Sequence, residues 1–170
     1  MLNSALPSVP RAQSWPLLLL GALGFWLSAS LAMDLIMMPG LFAAGMMTQP
    51  DFVAAGYLLF GLFNRLELLL AALCLSGFLV LGRRGSLTHH PAPWPQILAG
   101  ALLVIALVQT YALTPLLTGW AFSLSQIGAD PGLPGALVVL HGLYWSLELG
   151  KWIIGAALLR WCFQDSYRAV

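Results

Sequence analysis

The sequence contains very little charge. Only 8% of its 170 residues are Asp, Glu, Lys or Arg, whereas a soluble globular domain carries about 25%. The formal net charge is +1, so neither a nucleic-acid-binding surface nor a cleft for a polyanionic substrate can be built. Cysteine is equally scarce, because Cys74 and Cys162 are the only two and no CxxC pair or Cys/His spacing accompanies them. This scarcity argues against a disulfide framework and a structural zinc site.

Apolar residues make up 60% of the chain. A helix needs roughly 20 mainly apolar residues to cross a hydrocarbon core about 30 Å thick. Four such stretches are present, over residues 15–38, 52–82, 94–118 and 133–161. The sequence therefore predicts an all-α fold, with a single integral membrane domain over 1–170 built as a four-span transmembrane helical bundle.

Arginine outside the spans predicts the orientation of the bundle, because cytoplasmic connections carry the excess of positive charge. The connections around Asp51 and Asp130 contain no Lys or Arg. The arginines near the opposite ends of the spans are Arg11, Arg83, Arg84, Arg160 and Arg168. Both termini are therefore expected on the cytoplasmic side of a bacterial inner membrane or a thylakoid membrane.

The two halves of the chain resemble each other at an offset of 81 residues. The run 59–68 matches the run 140–149 at six of ten positions. Leucine matches mean little in a chain this rich in leucine, but Glu67 and Glu148 are the only glutamates in the protein, and they align. This coincidence favours an internal repeat.

The first and third spans also end in a similar way, with proline at Pro39 and at Pro115. The sequence thus predicts two helical hairpins, 15–82 and 94–161. Since both hairpins start from the cytoplasmic side, they would form a parallel repeat about an axis along the membrane normal. Chance similarity between apolar helices is the alternative.

Eight polar or charged side chains fall inside the predicted spans, where a charge near the bilayer centre costs at least about 2.5 kcal/mol. They therefore need partners. Helical spacing places the three of the fourth span on one face, where the glutamate and the lysine can pair. The eight residues are Asp34, Asn64, Arg65, Glu67, Gln109, His141, Glu148 and Lys151.

In the second span, Asn64 and Glu67 share a helix face, whereas Arg65 points about 100° away from Asn64. Arg65 is therefore expected to reach another helix. Asp34 lies at a similar depth in the first span and is its predicted ion-pair partner.

These groups allow two interpretations. In one, Glu67, Glu148 and His141 form an ion, proton or cofactor site where the hairpins meet. In the other, the polar groups neutralise one another, fix helix register or meet a partner subunit. His141 alone would suit a haem iron or a chlorophyll magnesium, although most lone intramembrane histidines hydrogen-bond to a neighbour.

Methionine is concentrated at the outer end of the first hairpin. Thioethers are soft ligands that suit Cu(I), but methionine is also an adaptable apolar filler. The candidate copper ligands are Met33, Met37, Met46 and Met47.

The runs 33–42 (MDLIMMPGLF) and 58–64 (LLFGLFN) resemble a widespread family of small four-span membrane proteins that carry a domain of unknown function. That family is distantly similar to the copper-resistance D membrane proteins. The resemblance covers most of the chain and implies a helical bundle without an established activity. The single lysine, the short loops and the abundance of Leu and Trp also resemble small accessory proteins of cyanobacterial photosynthetic membranes.

The first functional hypothesis is a non-enzymatic accessory or assembly subunit of a larger membrane complex, such as a photosynthetic one. No set of nucleophile, base and oxyanion-stabilising groups is visible. Its partners would be the lipid bilayer and other integral membrane subunits, with no nucleic acid. Helix faces with Gly61, Gly142 and Gly155 would permit the close approach of other helices.

The alternative hypothesis is a small transporter or a copper- or ion-handling membrane protein. It would use Glu67, Glu148, His141 or the methionines between Met33 and Met47. The cofactor stays open between none, chlorophyll, haem and copper.

Overall fold

A computed structural model describes residues 14–46, 49, 51–83, 93–127 and 135–168 of the chain. All elements in these ranges are helical, as predicted. They are α1 (Ser14–Leu31), a first π-helical turn (Ala32–Met37), α2 (Met38–Ala43), α3 (Phe52–Arg83), α4 (Trp94–Val108), a second π-helical turn (Gln109–Leu113), α5 (Thr114–Ile127) and α6 (Gly135–Arg168).

Among the described residues, three helical segments are long and apolar enough to cross a membrane, namely Trp15–Ala43, Phe52–Arg83 and Trp94–Ser123. They correspond to the first three predicted spans, and the first and third extend beyond their predicted ends. Helix α6 covers most of the predicted fourth span and continues to Arg168. The described part of the chain is therefore all-helical, and its long apolar helices are those of a membrane protein.

The long helices form a four-membered ring. Helix α1 packs against α3 and α6, and α4 packs against the same two helices. Neighbouring helices run antiparallel. For example, Gly77 near the end of α3 lies against Leu19 near the start of α1. Within the described residues, α3 and α6 are therefore diagonal partners, and so are α1 and α4.

The interior of the bundle is divided into two parts. The part near the start of α1 and the end of α6 is an apolar core, in which Leu23, Phe78, Leu102 and Leu158 are buried. The part beyond Trp26 holds the buried polar and charged side chains. Burial of the apolar side chains favours packing by roughly 1.5–3 kcal/mol each in water, but in lipid close van der Waals packing has to hold the helices together.

The outward faces of the helices are also apolar. Ile36, Leu69 and Val139 are each about 70% exposed, at 73%, 70% and 69%. Such surfaces would aggregate in water, but they match the hydrocarbon of a bilayer. Lipid contact is therefore the natural environment of these faces.

Two π-helical turns interrupt the first and third apolar segments. In each, the amide of the residue after the turn donates five residues back, from Met38 to Met33 and from Thr114 to Gln109. A proline, Pro39 or Pro115, follows one residue later and lacks the N–H that an α-helical bond needs. The wider turn accommodates this missing donor, and such turns are frequent at functional sites.

Glycine permits close helix contact at only some of the predicted positions. A Cβ atom at Gly155 would lie 2.6 Å from Leu27 Cδ2, so Gly155 does pack inside the bundle. A Cβ atom at Gly61 or Gly142 would meet nothing within 4 Å. These two glycines therefore do not mediate packing within the described bundle.

Replacing Gly77 by valine is expected to destabilise the bundle by about 1–3 kcal/mol, because overpacking a tight contact displaces its neighbours. A Cβ atom there would approach three atoms of the fully buried Leu19 at 2.5–3.0 Å. The free energy of unfolding in mixed micelles measures the effect. Gly61→Val on the same helix is the matched control, and equal stability of both variants would contradict the packing described here.

Candidate functional site

The centre of the bundle contains a buried lysine. Lys151 of α6 is 1% exposed, and its Nζ donates to Glu67 Oε1 of α3 at 2.5 Å and to Glu148 Oε1 of its own helix at 2.8 Å. The predicted pair within the fourth span is thus confirmed. The bond to Glu67 crosses the diagonal of the ring, since α3 and α6 do not pack directly within the described residues.

Glu67 is held by three donors on a single oxygen. Besides Lys151, Trp26 Nε1 donates to Glu67 Oε1 at 2.9 Å and Ser30 Oγ donates at 2.7 Å. Both residues belong to α1, the neighbour of α3 in the ring. Glu67 Oε1 therefore connects α3 to both α1 and α6.

Glu148 has a different set of partners. Its Oε1 accepts from Lys151 and from Gln109 Nε2, the latter at 2.9 Å. Its Oε2 is buried and accepts no hydrogen bond from the described residues, and the same holds for Gln109 Oε1. Both oxygens are thus buried acceptors without a well-aligned donor, which is costly in a low-dielectric interior. The side chains of Asp34 and Tyr144 also reach the Glu148 carboxyl group within hydrogen-bonding range.

Asp34 completes the cluster from the first π-helical turn. It is 5% exposed, and its carboxyl group lies within electrostatic range of Glu148, Lys151 and Glu67. Tyr144, one turn before Glu148 on α6, is half-buried beside the same carboxyl groups. We refer to Asp34, Glu67, Glu148 and Lys151 as the central cluster.

The central cluster is rich in acid. Three buried carboxyl groups surround one buried ammonium group, so full ionisation would leave two negative charges unbalanced. Uncompensated charge in a membrane interior is expensive. The arrangement is chemically suited to binding protons.

Asn64 forms a separate contact with the third segment. Its Nδ2 donates to Thr114 Oγ1 at 2.8 Å, and both side chains are buried. In an α-helix, Gln109 and Thr114 would point about 140° apart. The second π-helical turn lies between them and lets both side chains face the interior.

The predicted ion pair between Asp34 and Arg65 is wrong. Arg65 is exposed on the outside of α3, and the ion pairs among the described residues all involve Lys151. The inward face of α3 is occupied by Asn64 and Glu67. Arg65, at about 100° from Asn64 and about 160° from Glu67, therefore points away from the bundle.

His141 does not join the central cluster. It is exposed, and its Nδ1 lies 3.1 Å from the carbonyl oxygen of Leu137 in the preceding turn of α6. This contact agrees with the interpretation of a histidine that bonds to its own helix. Ligation of haem or chlorophyll by His141 stays a prediction.

The candidate copper ligands do not share one environment. Met33 is buried at 7% exposure, while Met37 and Met46 are exposed at 38% and 42%. Met47 lies outside the described residues. Among the residues that the structure describes, no three His, Cys, Asp or Glu side chains are arranged to hold a metal ion, and the methionine copper site stays a prediction.

Sequence reasoning missed three partners of the central cluster and its neighbours: Trp26, Ser30 and Thr114. A signal for two of them was present. Trp26, Ser30 and Asp34 follow at intervals of four residues, which places them on one helix face. Thr114 carried no such signal, because its inward direction depends on the π-helical turn.

Replacing Lys151 by methionine is expected to cost about 3–5 kcal/mol of stability, since it leaves buried carboxylates without their cation. Titration with a denaturing detergent in mixed micelles measures the free energy of unfolding. The matched control is Arg160→Met, an exposed cation on the same helix, expected to change stability by less than about 0.5 kcal/mol. The double variant Glu67→Gln/Lys151→Met also removes a carboxylate and should recover part of the lost stability. If Lys151→Met were as stable as the wild type, Lys151 would not be the cation that stabilises the buried carboxylates.

No family model, curated protein or solved structure matches this chain. The resemblance to the small four-span family and to photosynthetic accessory proteins therefore stays a prediction.

Proposed function

We propose that this protein is a four-span integral membrane protein that moves protons through its bundle by protonation and deprotonation of the central cluster. The observation that carries the proposal is the imbalance of three buried carboxyl groups around one buried lysine. Purely structural ion pairing would favour balanced charge. An acid-rich cluster instead needs protons or a cation to be stable, and ionisable groups inside spans mark ion and proton pathways.

Helix α6 acts as the fourth span in this proposal. Its 34 residues extend over about 51 Å at 1.5 Å per residue, and it runs antiparallel to α4. Its charged residues Glu148 and Lys151 are each 1% exposed and so are shielded from lipid. Arginine at the ends of the spans, including Arg83 and Arg160, supports cytoplasmic termini.

An internal repeat is part of the same proposal. Each glutamate receives a hydrogen bond from the preceding segment of its own hairpin: Glu67 from Trp26 and Ser30, and Glu148 from Gln109. The two π-helical turns also occupy equivalent places before their prolines. These correspondences support two related hairpins that share one lysine.

Proteoliposomes test proton movement directly. Purified protein is reconstituted with an internal pH-sensitive dye, and a potassium diffusion potential drives protons inward. Wild-type flux is expected to exceed that of empty liposomes. Glu148→Gln and Asp34→Asn are expected to reduce it to the empty level, because each removes one of the buried carboxyl groups whose excess over Lys151 favours proton uptake by the cluster.

Asp51→Asn is the matched control for this experiment. Asp51 is exposed in the turn before α3, and asparagine serves equally well at the start of a helix. Its flux is expected to equal that of the wild type. Absence of flux above empty liposomes, or unchanged flux in both cluster variants, would overturn the proposal.

The accessory-subunit function is a second candidate, and the exposed Arg65 favours it. Arg65 lies about 20 Å from the start of α3, level with the central cluster, and has no ion-pair partner within the described part of the chain. A guanidinium facing lipid at this depth is costly. A partner helix that carries a carboxylate would remove this cost.

The surface around Arg65 is suited to another helix. Leu58, Leu62 and Leu69 are 65–70% exposed, and Gly61 lies one turn away with open space at its Cβ position. The acidic side chains that the structure describes at the depth of Arg65 are Asp34, Glu67 and Glu148, and all three are buried in the central cluster. A second copy of this chain would therefore not present a described carboxylate at this depth, and a different membrane subunit is the expected partner.

Photo-crosslinking tests this second candidate in native membranes. A photoreactive residue at Leu62 or Leu69 is expected to capture one transmembrane subunit, and Arg65→Gln should abolish its capture. The same probe at Val104, exposed on α4, and the Arg83→Gln variant are the controls. Equal capture with Arg65→Gln would contradict a role for the guanidinium.

A further inference from the structure

We infer that the two glutamates of the central cluster have different roles: Glu148 takes up and releases the proton, while Glu67 stays ionised as the permanent counter-ion of Lys151. This inference rests on the proposed proton movement, and it assigns that movement to one carboxyl group. The assignment follows from the unequal hydrogen bonding of the two side chains.

Glu67 is fully engaged as an anion. Trp26, Ser30 and Lys151 all donate to its Oε1. Protonation of Glu67 would weaken each of these bonds at once and would leave Lys151 with less compensation. The free energy of the cluster therefore favours an ionised Glu67.

Glu148 has one free position for a proton. Its Oε1 is occupied by Lys151 and Gln109, whereas its buried Oε2 accepts nothing from the described residues. A proton bound at Oε2 cancels one of the unbalanced charges and converts an unpaired acceptor into a donor. Gln109 Oε1 is also a buried acceptor that receives no hydrogen bond from the described residues. It belongs to the side chain whose Nε2 already donates to Glu148.

Charged and polar groups face Glu148 from each neighbouring segment, and the side chains of Asp34 and Tyr144 also lie within hydrogen-bonding range of its carboxyl group. Asp34 faces it from the first π-helical turn, Glu67 from α3, Gln109 from the second π-helical turn, and Lys151 and Tyr144 from α6. Two of these neighbours are acidic and disfavour a second negative charge. Lys151 opposes them, but it also binds Glu67.

The proton balance of the step is simple. An ionised Glu148 receives H⁺ at Oε2 from the side of the bundle where Asp34 lies, and becomes a neutral carboxylic acid. Loss of the same proton restores the carboxylate and the acceptor at Oε2. No other bond forms or breaks, and Lys151 stays an ammonium throughout.

Infrared difference spectroscopy between alkaline and acidic pH tests the assignment in purified protein in lipid nanodiscs. Protonation should produce the C=O stretching band of a carboxylic acid, which shifts in D₂O. Because Glu67 and Glu148 are the only glutamates, carboxyl-¹³C glutamate should shift this band, and ¹³C aspartate should not. The band should disappear in Glu148→Gln and persist in Glu67→Gln.

Two further variants keep the experiment decisive. Glu148→Asp retains a carboxyl group if Glu148→Gln does not fold, and it should move the band to the aspartate label. Asp51→Asn should leave the glutamate band unchanged. Correct folding of each variant is checked by circular dichroism and by a single peak in size-exclusion chromatography.

The spectroscopic result and the flux result can fail separately. A glutamate band that belongs to Glu148 without proton flux in liposomes would support the division of roles and overturn the transport proposal. Flux together with a band that belongs to Glu67 or to an aspartate would overturn the division of roles. Absence of any carboxylic acid band over the whole pH range would also overturn it.

Discussion

The bond from Lys151 to Glu67 is the interaction on which the rest of the bundle depends. It joins α6 to α3 across the centre, where these helices do not pack directly within the described residues. Glu67 in turn binds α1 through Trp26 and Ser30. A buried ion pair of this kind stabilises a fold only when further hydrogen bonds satisfy its atoms, and the neighbouring helices supply them here.

The divided interior explains how a costly site can be kept in a small protein. The apolar half holds the helix ends together through close packing, with glycine at Gly77 and Gly155 admitting large leucine side chains. The polar half can therefore contain buried polar and charged side chains, which stabilise the bundle less than close apolar packing does. The π-helical turns lie on this polar side, and the second of them lets both Gln109 and Thr114 face inward without a break in the helix.

Much of the architecture follows from the sequence, because the length and hydropathy of the apolar segments depend on local composition alone. The pair of Glu148 and Lys151 was equally predictable, since their spacing on one helix decides it. Contacts between different helices could not be predicted in this way. Arg65 was expected to meet Asp34 because their depths agree, but depth says nothing about which neighbour a helix face meets.

The same limit applies to residues whose direction depends on the helix type. Thr114 faces inward because of a π-helical turn, and the spacing of apolar residues in the sequence does not predict this turn. His141 has the helical spacing of Glu148, yet it lies two turns away and is exposed at that level. Spacing on one helix could not show where the bundle surrounds the helix and where it does not.

The position of Lys151 in the last helix also has a consequence for biosynthesis. Helix α6 is synthesised after α1, α3 and α4, and unlike them it is not among the helices apolar enough to qualify as a span by hydropathy. When it leaves the ribosome, Glu67 and Gln109 are already within the earlier segments. In the proposed four-span topology, insertion of α6 into the bilayer is coupled to recognition of those side chains, so assembly of the cluster and completion of that topology would be one event.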